Sequence, residues 1–184
     1  MKRITTKTII FWSYFLATFI LKKLFSSPLL KLSLFDLIFW LAGALAGAHF
    51  LKIDQLFYIF FSNPEDQLCL QAKWLIKEKK FAQCWDLLSS KVEEQKLASR
   101  SILFQLAWVI LAFFTLTSTL GVFGKTLVMA IGLHLLLDQW EDVLEGQNLD
   151  WLFWQLKKKL TLKKQKCFLW LMTGLFSFLT LLLI

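Results

Sequence analysis

The sequence predicts an all-α fold, a polytopic integral membrane bundle of four or five spanning helices with a cytoplasmic helical insert. Three observations carry this. Of 184 residues, 57% are hydrophobic and 18% charged, against roughly a quarter charged in an average soluble domain. A soluble globule of this size has no room to hide 19 Phe and 9 Trp and still present a wettable surface. Long uncharged runs recur along the chain, and the basic residues between them fall in an alternating pattern. Seven Gly, two Pro and three Cys give no sign of a collagen, a disordered chain or a disulfide scaffold.

A spanning helix needs about 20 mostly apolar residues. Ser101 to Gly124 and Cys167 to Ile184 meet that length or come close without a single charge. Thr8 to Leu21 lies between Lys7 and Lys22, whose stems can lie along the apolar boundary and lengthen the span. Leu37 to Leu51 follows Ser33-Leu34-Phe35-Asp36, a capping box that starts a helix near Leu34. Thr126 to Leu137 continues in helical period through Trp140 and Val143 until Gly146 can stop it. The resulting organisation is 1–61 for two N-terminal transmembrane helices (about 8–25 and 34–51, with room to extend to 61) and 62–100 for the insert. A helix pair at 101–145, a basic interfacial helix at 146–166 and a last span at 167–184 complete it.

With five spans and a cytoplasmic N-terminus, seventeen of the 21 basic residues fall inside, leaving Lys22, Lys23, Lys31 and Lys125 outside. The positive-inside rule then places the C-terminus outside. Lys22-Lys23 stands where a signal peptide would have small residues for cleavage, so the first segment is expected to be retained. In the insert, Asn63-Pro64-Glu65-Asp66 reads as a helix start. Leu70, Trp74, Phe81, Trp85, Leu88 and Val92 then recur at helical spacing, interrupted by Lys77. Leu149, Leu152, Phe153, Leu156 and Leu160, with lysines around them, suggest a helix lying on anionic lipid headgroups. Membrane lipids are thus the expected partner, and nucleic acid is not. Cys69, Cys84 and Cys167 have no C-x-x-C spacing for a zinc ribbon. P-loop, dinucleotide, H-E-x-x-H and G-x-S-x-G motifs are absent.

Candidate functional residues converge on one depth. His134, Asp138, Glu141 and Glu145 form one stripe, and Asp142 is slightly offset. The same end of the bundle receives His49, Lys52 and Asp54 from the second span, and Arg100, Ser101 and Gln105 from the start of the third. Ionisable residues in a span are costly and point to function unless they are paired. A His with carboxylates can bind a divalent metal and activate water. The simpler alternative pairs Asp54 and Asp138 with Lys52 and Arg100, with His134 hydrogen-bonded, to hold the helices together. Gly43 and Gly47 form a G-x-x-x-G flanked by Ala42 and Ala48, which allows close helix approach, expected within the bundle rather than between copies. The polar residues gather at one end, and no midplane acidic pair or helix break marks a transport path.

Gly43 to Gln55, Arg100 to Gln105 and Gly132 to Asp138 together resemble the membrane-bound metal-dependent hydrolase family. That family carries Pro-Asp-x-Asp-His at a membrane edge, then His-Ser, then His-x-x-x-Asp. The order matches over about residues 34 to 142, with Asp54, Ser101, His134 and Asp138 kept. Leu51, Lys52, Gln55 and Arg100 replace the proline, an aspartate and two histidines of the pattern. The resemblance therefore implies a non-catalytic, metal-free relative in which Lys52 and Arg100 supply the charge of the ion. Its alternative is a hydrolase of lipid-like substrates, with a divalent metal on Asp54, His134 and Asp138. No family role falls on His49.

Overall fold

The computed structural model describes residues 2–25, 34–57, 67–90, 99–155 and 160–184, with side chains except at 2–5, 51–57, 85, 86 and 88–90. Among the described residues there are seven helices and no strand. They are α1 (Lys2–Phe25), α2 (Leu34–Phe57), α3 (Gln67–Lys77), α4 (Phe81–Ser90), α5 (Ile102–Thr117), α6 (Val122–Leu144) and α7 (Leu162–Leu183). Three of them are long and apolar enough to cross a membrane: Thr6–Phe25 within α1, α6 and α7. Two shorter apolar stretches, Leu34–Phe50 and Ile102–Thr117, differ from the others in length rather than character.

The long uncharged run that begins at Ser101 does not form one helix. Ser101 caps its start, its hydroxyl oxygen accepting from the Phe104 amide at 3.2 Å. The helix stops at Thr117, where Ser118 turns its hydroxyl onto the Thr115 carbonyl and α6 begins at Val122. Sixteen residues rise only about 24 Å, less than the ~30 Å hydrocarbon core. Lys125 then reaches back from α6 to donate to the Leu116 carbonyl at 3.0 Å, partly satisfying the exposed end of α5.

Contacts between helices fix their directions. Lys7 of α1 meets Asp138 near the end of α6, and Lys22, at the other end of α1, donates to the Leu183 carbonyl of α7. Gly43 and Gly47 of α2 lie against Phe123 and Leu127 of α6 in parallel register. Arg100, at the foot of α5, also meets Asp138. Hence α1, α5 and α7 run one way and α2 and α6 the other. At the centre, α6 touches α1, α2, α5 and α7. In its most apolar stretch 61% of residues are buried, against 28% in α7 and 17% in α1. Its own Gly132 admits the Trp108 ring, whose indole N–H donates to the Val128 carbonyl at 2.8 Å. Outward-facing Ile9, Leu16, Ile38, Phe114 and Leu181 are exposed, as expected where the surroundings are lipid tails rather than water.

The described part of the insert is helical. It contains two helices, α3 and α4, because Lys79 takes a left-handed conformation (φ 57°). The Lys80 amide then donates to the Leu75 carbonyl and the Lys79 amide to that of Ile76, a Schellman closure with lysine in the usual glycine place. Small side chains let α3 and α4 pack closely: Leu68, Cys69, Ala72 and Cys84 are buried, while Leu70, Trp74 and Phe81 are exposed. Trp85, Leu88 and Val92, and Asn63 to Asp66, lie outside the residues or side chains described. Burial pushes the Cys84 thiol up, and its Sγ lies 3.7 Å from the Ala72 carbonyl. Fewer thiolates at neutral pH mean slower alkylation. A maleimide should therefore modify the exposed Cys167 first, with Cys84 following as pH rises or the hairpin unfolds, as read by peptide mass mapping.

The expected interfacial helix at 146–166 is also corrected. Residues 147–155 form turns, residues 156–159 lie outside the described chain, and α7 begins at Leu162 rather than at 167. Burial is the reason. Leu149, Leu152 and Phe153 belong to the bundle core, and a straight helix on the membrane surface could not insert them. Gln165 holds the turns, its Oε1 accepting from the Leu149 amide (2.9 Å) and its Nε2 donating to Asp150 (2.8 Å) and to the Leu160 carbonyl (3.2 Å).

Candidate functional site

The site lies at the end of the bundle where α1 and α5 begin and α6 ends. Asp138 is its centre and is 6% exposed. Its Oδ1 accepts from the Lys7 ammonium at 2.8 Å and its Oδ2 from the Arg100 guanidinium at 2.7 Å. Lys7 also pairs with Glu141, one turn further along α6. Three helices distant in sequence are thereby joined through one carboxylate. The helical spacing of Asp138 and Glu141 puts both on the face that Lys7 approaches.

Arg100 has a second neighbour. Its guanidinium lies over the Trp151 ring, 5.1 Å from the centroid, and the Trp151 indole N–H donates to Asp142 Oδ2 at 2.6 Å. A stacked guanidinium keeps its in-plane N–H groups free for a carboxylate. The Ile102 amide bonds to the Leu152 carbonyl at 3.0 Å, fixing the turn that carries Trp151 against the foot of α5. Trp151 is thus part of the site, although it falls off the apolar stripe of its segment and carries no motif. Only its proximity in the fold reveals it.

The remaining predicted residues divide. Ser101 is buried and spent on its cap. Gln105 is buried with Oε1 unpartnered, and Gln139, one residue after Asp138, is fully buried with both amide atoms unpartnered. Gln139 escaped the sequence reading because a lone Gln in a span carries no spacing signal. His134 lies 3.6 Å from Asp138 Oδ2 through Nδ1, which has no hydrogen-bond partner. His134 thus faces Asp138 as an ion-pair neighbour just beyond hydrogen-bond length, beside Arg100 on the same carboxylate oxygen. The side chains of Lys52 and Asp54 lie outside those described. The parallel register of α2 and α6, Gly43 by Phe123 and Gly47 by Leu127, nevertheless carries the α2 backbone at 52–54 toward the level of His134 and Asp138. The second cation at Asp138 is Lys7, a residue whose sequence role was to mark a membrane boundary.

Asp138, as placed, is a poor ligand for a divalent metal, and Asp54, the other carboxylate of the expected set, has its side chain outside those described. Both oxygens of Asp138 face cations, and a nearby cation repels a metal ion as well as competing for its ligand. Among the described residues no three His, Cys, Asp or Glu side chains converge on a point. What the arrangement does is neutralise buried charge and fasten α1, α5 and α6 at one end. Comparisons with protein-family models, curated protein sequences and solved structures find no match in any of the three.

Proposed function

We propose that this chain is a five-span membrane protein with a cytoplasmic N-terminus and an outer C-terminus, and a structural or interaction role in place of hydrolysis. The single observation behind the role is Asp138 held between Arg100 and Lys7, at the position where the resemblance to membrane-bound hydrolases would require a metal ligand. In this reading the two cations replace the ion. Support for five spans comes from the alternating directions of α1, α2, α5, α6 and α7. The shorter apolar stretches Leu34–Phe50 and Ile102–Thr117 are accommodated by local thinning of the bilayer. Lys163, Lys164 and Lys166 of early α7 belong to the basic end of the molecule and favour anionic headgroups there.

Metal quantification on purified protein tests the role. Wild type and Asp138→Ala should both carry far less than one equivalent of zinc, manganese or iron per chain. A stoichiometric metal lost in Asp138→Ala would instead establish the metal-dependent hydrolase. For topology, Leu120→Cys and Gln147→Cys, each in a Cys167→Ser background, should be labelled by an impermeant maleimide from opposite sides of the membrane. Labelling from the same side would overturn the proposed crossings.

A further inference from the structure

The chain has two histidines, and both line one cleft. It lies between α1, α2 and α6, has a volume of about 230 Å³, and brings Lys7, His49 and His134 together with Trp12, Phe11 and Leu45. The ionic network of Asp138 uses neither imidazole in a hydrogen bond. His134 Nδ1 is buried and lies 3.6 Å from Asp138 Oδ2, beyond hydrogen-bond length. His49 Nδ1 lies 2.9 Å from the Leu45 carbonyl, so it carries the proton and leaves Nε2 to face a ligand.

We infer that this cleft seats the phosphate headgroup of an anionic phospholipid. The inference rests on the membrane reading above, and four observations support it. The outer surfaces of α1 and α2 beside the cleft are apolar, with Ile9 and Leu45 exposed, so in the membrane reading the medium reaching it is lipid. Its volume is below that of pockets enclosing a whole drug-sized ligand, which suits a headgroup whose acyl chains stay outside along Leu45 and its neighbours. Its polar wall consists of one ammonium, two imidazoles and Thr8, while Phe11 and Trp12 give an apolar floor. Finally, the described lining carries one ammonium, Lys7, and no carboxylate, although Lys7 also pairs with Asp138 and Glu141. An arriving phosphate meets the Lys7 ammonium, and an imidazole whose free nitrogen carries a proton adds a second donor toward its oxygens. A zwitterionic headgroup brings its own cation and has less to gain from these rings.

Native mass spectrometry of delipidated protein offered equal phosphatidylglycerol and phosphatidylcholine is the test. One phosphatidylglycerol should remain bound as collision energy rises, favoured by about tenfold, the worth of one charge-assisted hydrogen bond. His49→Gln and His134→Gln should each reduce that preference toward parity, while Ser177→Ala on the far helix should keep it. His49 is exposed, so His49→Gln reads the cleft without disturbing the core, and circular dichroism checks the fold of both. Equal retention of the two lipids would overturn the inference, as would a preference unchanged in His49→Gln. Displacement by an equal concentration of inorganic phosphate would overturn the lipid and leave a free-anion site. Alkaline carbonate extraction separates the two levels: a chain that leaves the membrane refutes the membrane reading, and one that stays without lipid preference refutes the cleft alone.

Discussion

Asp138→Ala should destabilise the protein by about 3–5 kcal/mol, the usual cost of removing one partner from a buried ion pair. Among the described residues the variant leaves Arg100 the Trp151 face, while Lys7 keeps Glu141 but loses its second carboxylate. Two partly buried cations would then lose the carboxylate that both of them contact. The loss should appear as a fall of roughly 10 °C in the temperature at which detergent-solubilised protein loses its monodisperse elution peak. Asp138→Asn keeps the shape and one acceptor, so it should fall between wild type and alanine. A better diagnostic is Arg100→Leu combined with Asp138→Leu, which removes charge from both sides. Well-packed apolar replacements of buried pairs are often neutral or stabilising, so the double variant should recover much of what either single variant loses. Additive losses in that cycle would show that Arg100 and Asp138 do not interact in solution.

How much of this was legible in the sequence depended on the range of the interaction. The apolar runs and the capping Ser101 are local signals, and α1, α2, α6 and α7 contain those runs but extend beyond them by up to about six residues. Arg100, His134 and Asp138 could be brought to one depth because span direction alone fixes it. Lys7 and Trp151 could not be assigned, because their roles depend on how α1 and the turn after α6 close over the end of the bundle. The same limit explains the segment from 147 to 155. Its apolar residues fit helical period, but Leu149, Leu152 and Phe153 are buried in the core, and Gln165 supplies the bonds that a helix would have supplied internally. In α3 and α4, period suggested one continuous face, and the left-handed Lys79 ends it after Lys77. Local pattern located the elements, while pairings across the chain decided which faces they buried.

Gly47→Leu should separate α2 from α6, with a loss of at least the ~1–3 kcal/mol typical of overpacking. The reason is what a side chain there would meet. A Cβ at Gly47 would fall 2.5 Å from the Ala130 Cβ and 2.6 Å from the Leu127 carbonyl oxygen, and one at Gly43 would fall 2.5 Å from the Phe123 carbonyl oxygen. Backbone cannot move aside as the end of a flexible side chain can, so even Gly47→Ala forces the helices apart. Gly174 in α7 provides the contrast, because nothing lies within 4 Å of a Cβ built there. Gly174→Ala should be stabilising by about 0.5–1 kcal/mol through the unfolded-chain entropy that glycine would otherwise lose. The order of thermal stability should then be Gly174→Ala, wild type, Gly47→Ala, Gly47→Leu. This series also tests what the G-x-x-x-G is for. If Gly43 and Gly47 served contact between copies of the chain, Gly47→Leu would leave a stable monomer and change only the oligomer distribution on sizing. Close packing on α6 requires the opposite result, a loss of folded monomer at every protein concentration. Because α2 also carries His49, that loss should remove any lipid preference of the cleft along with the fold.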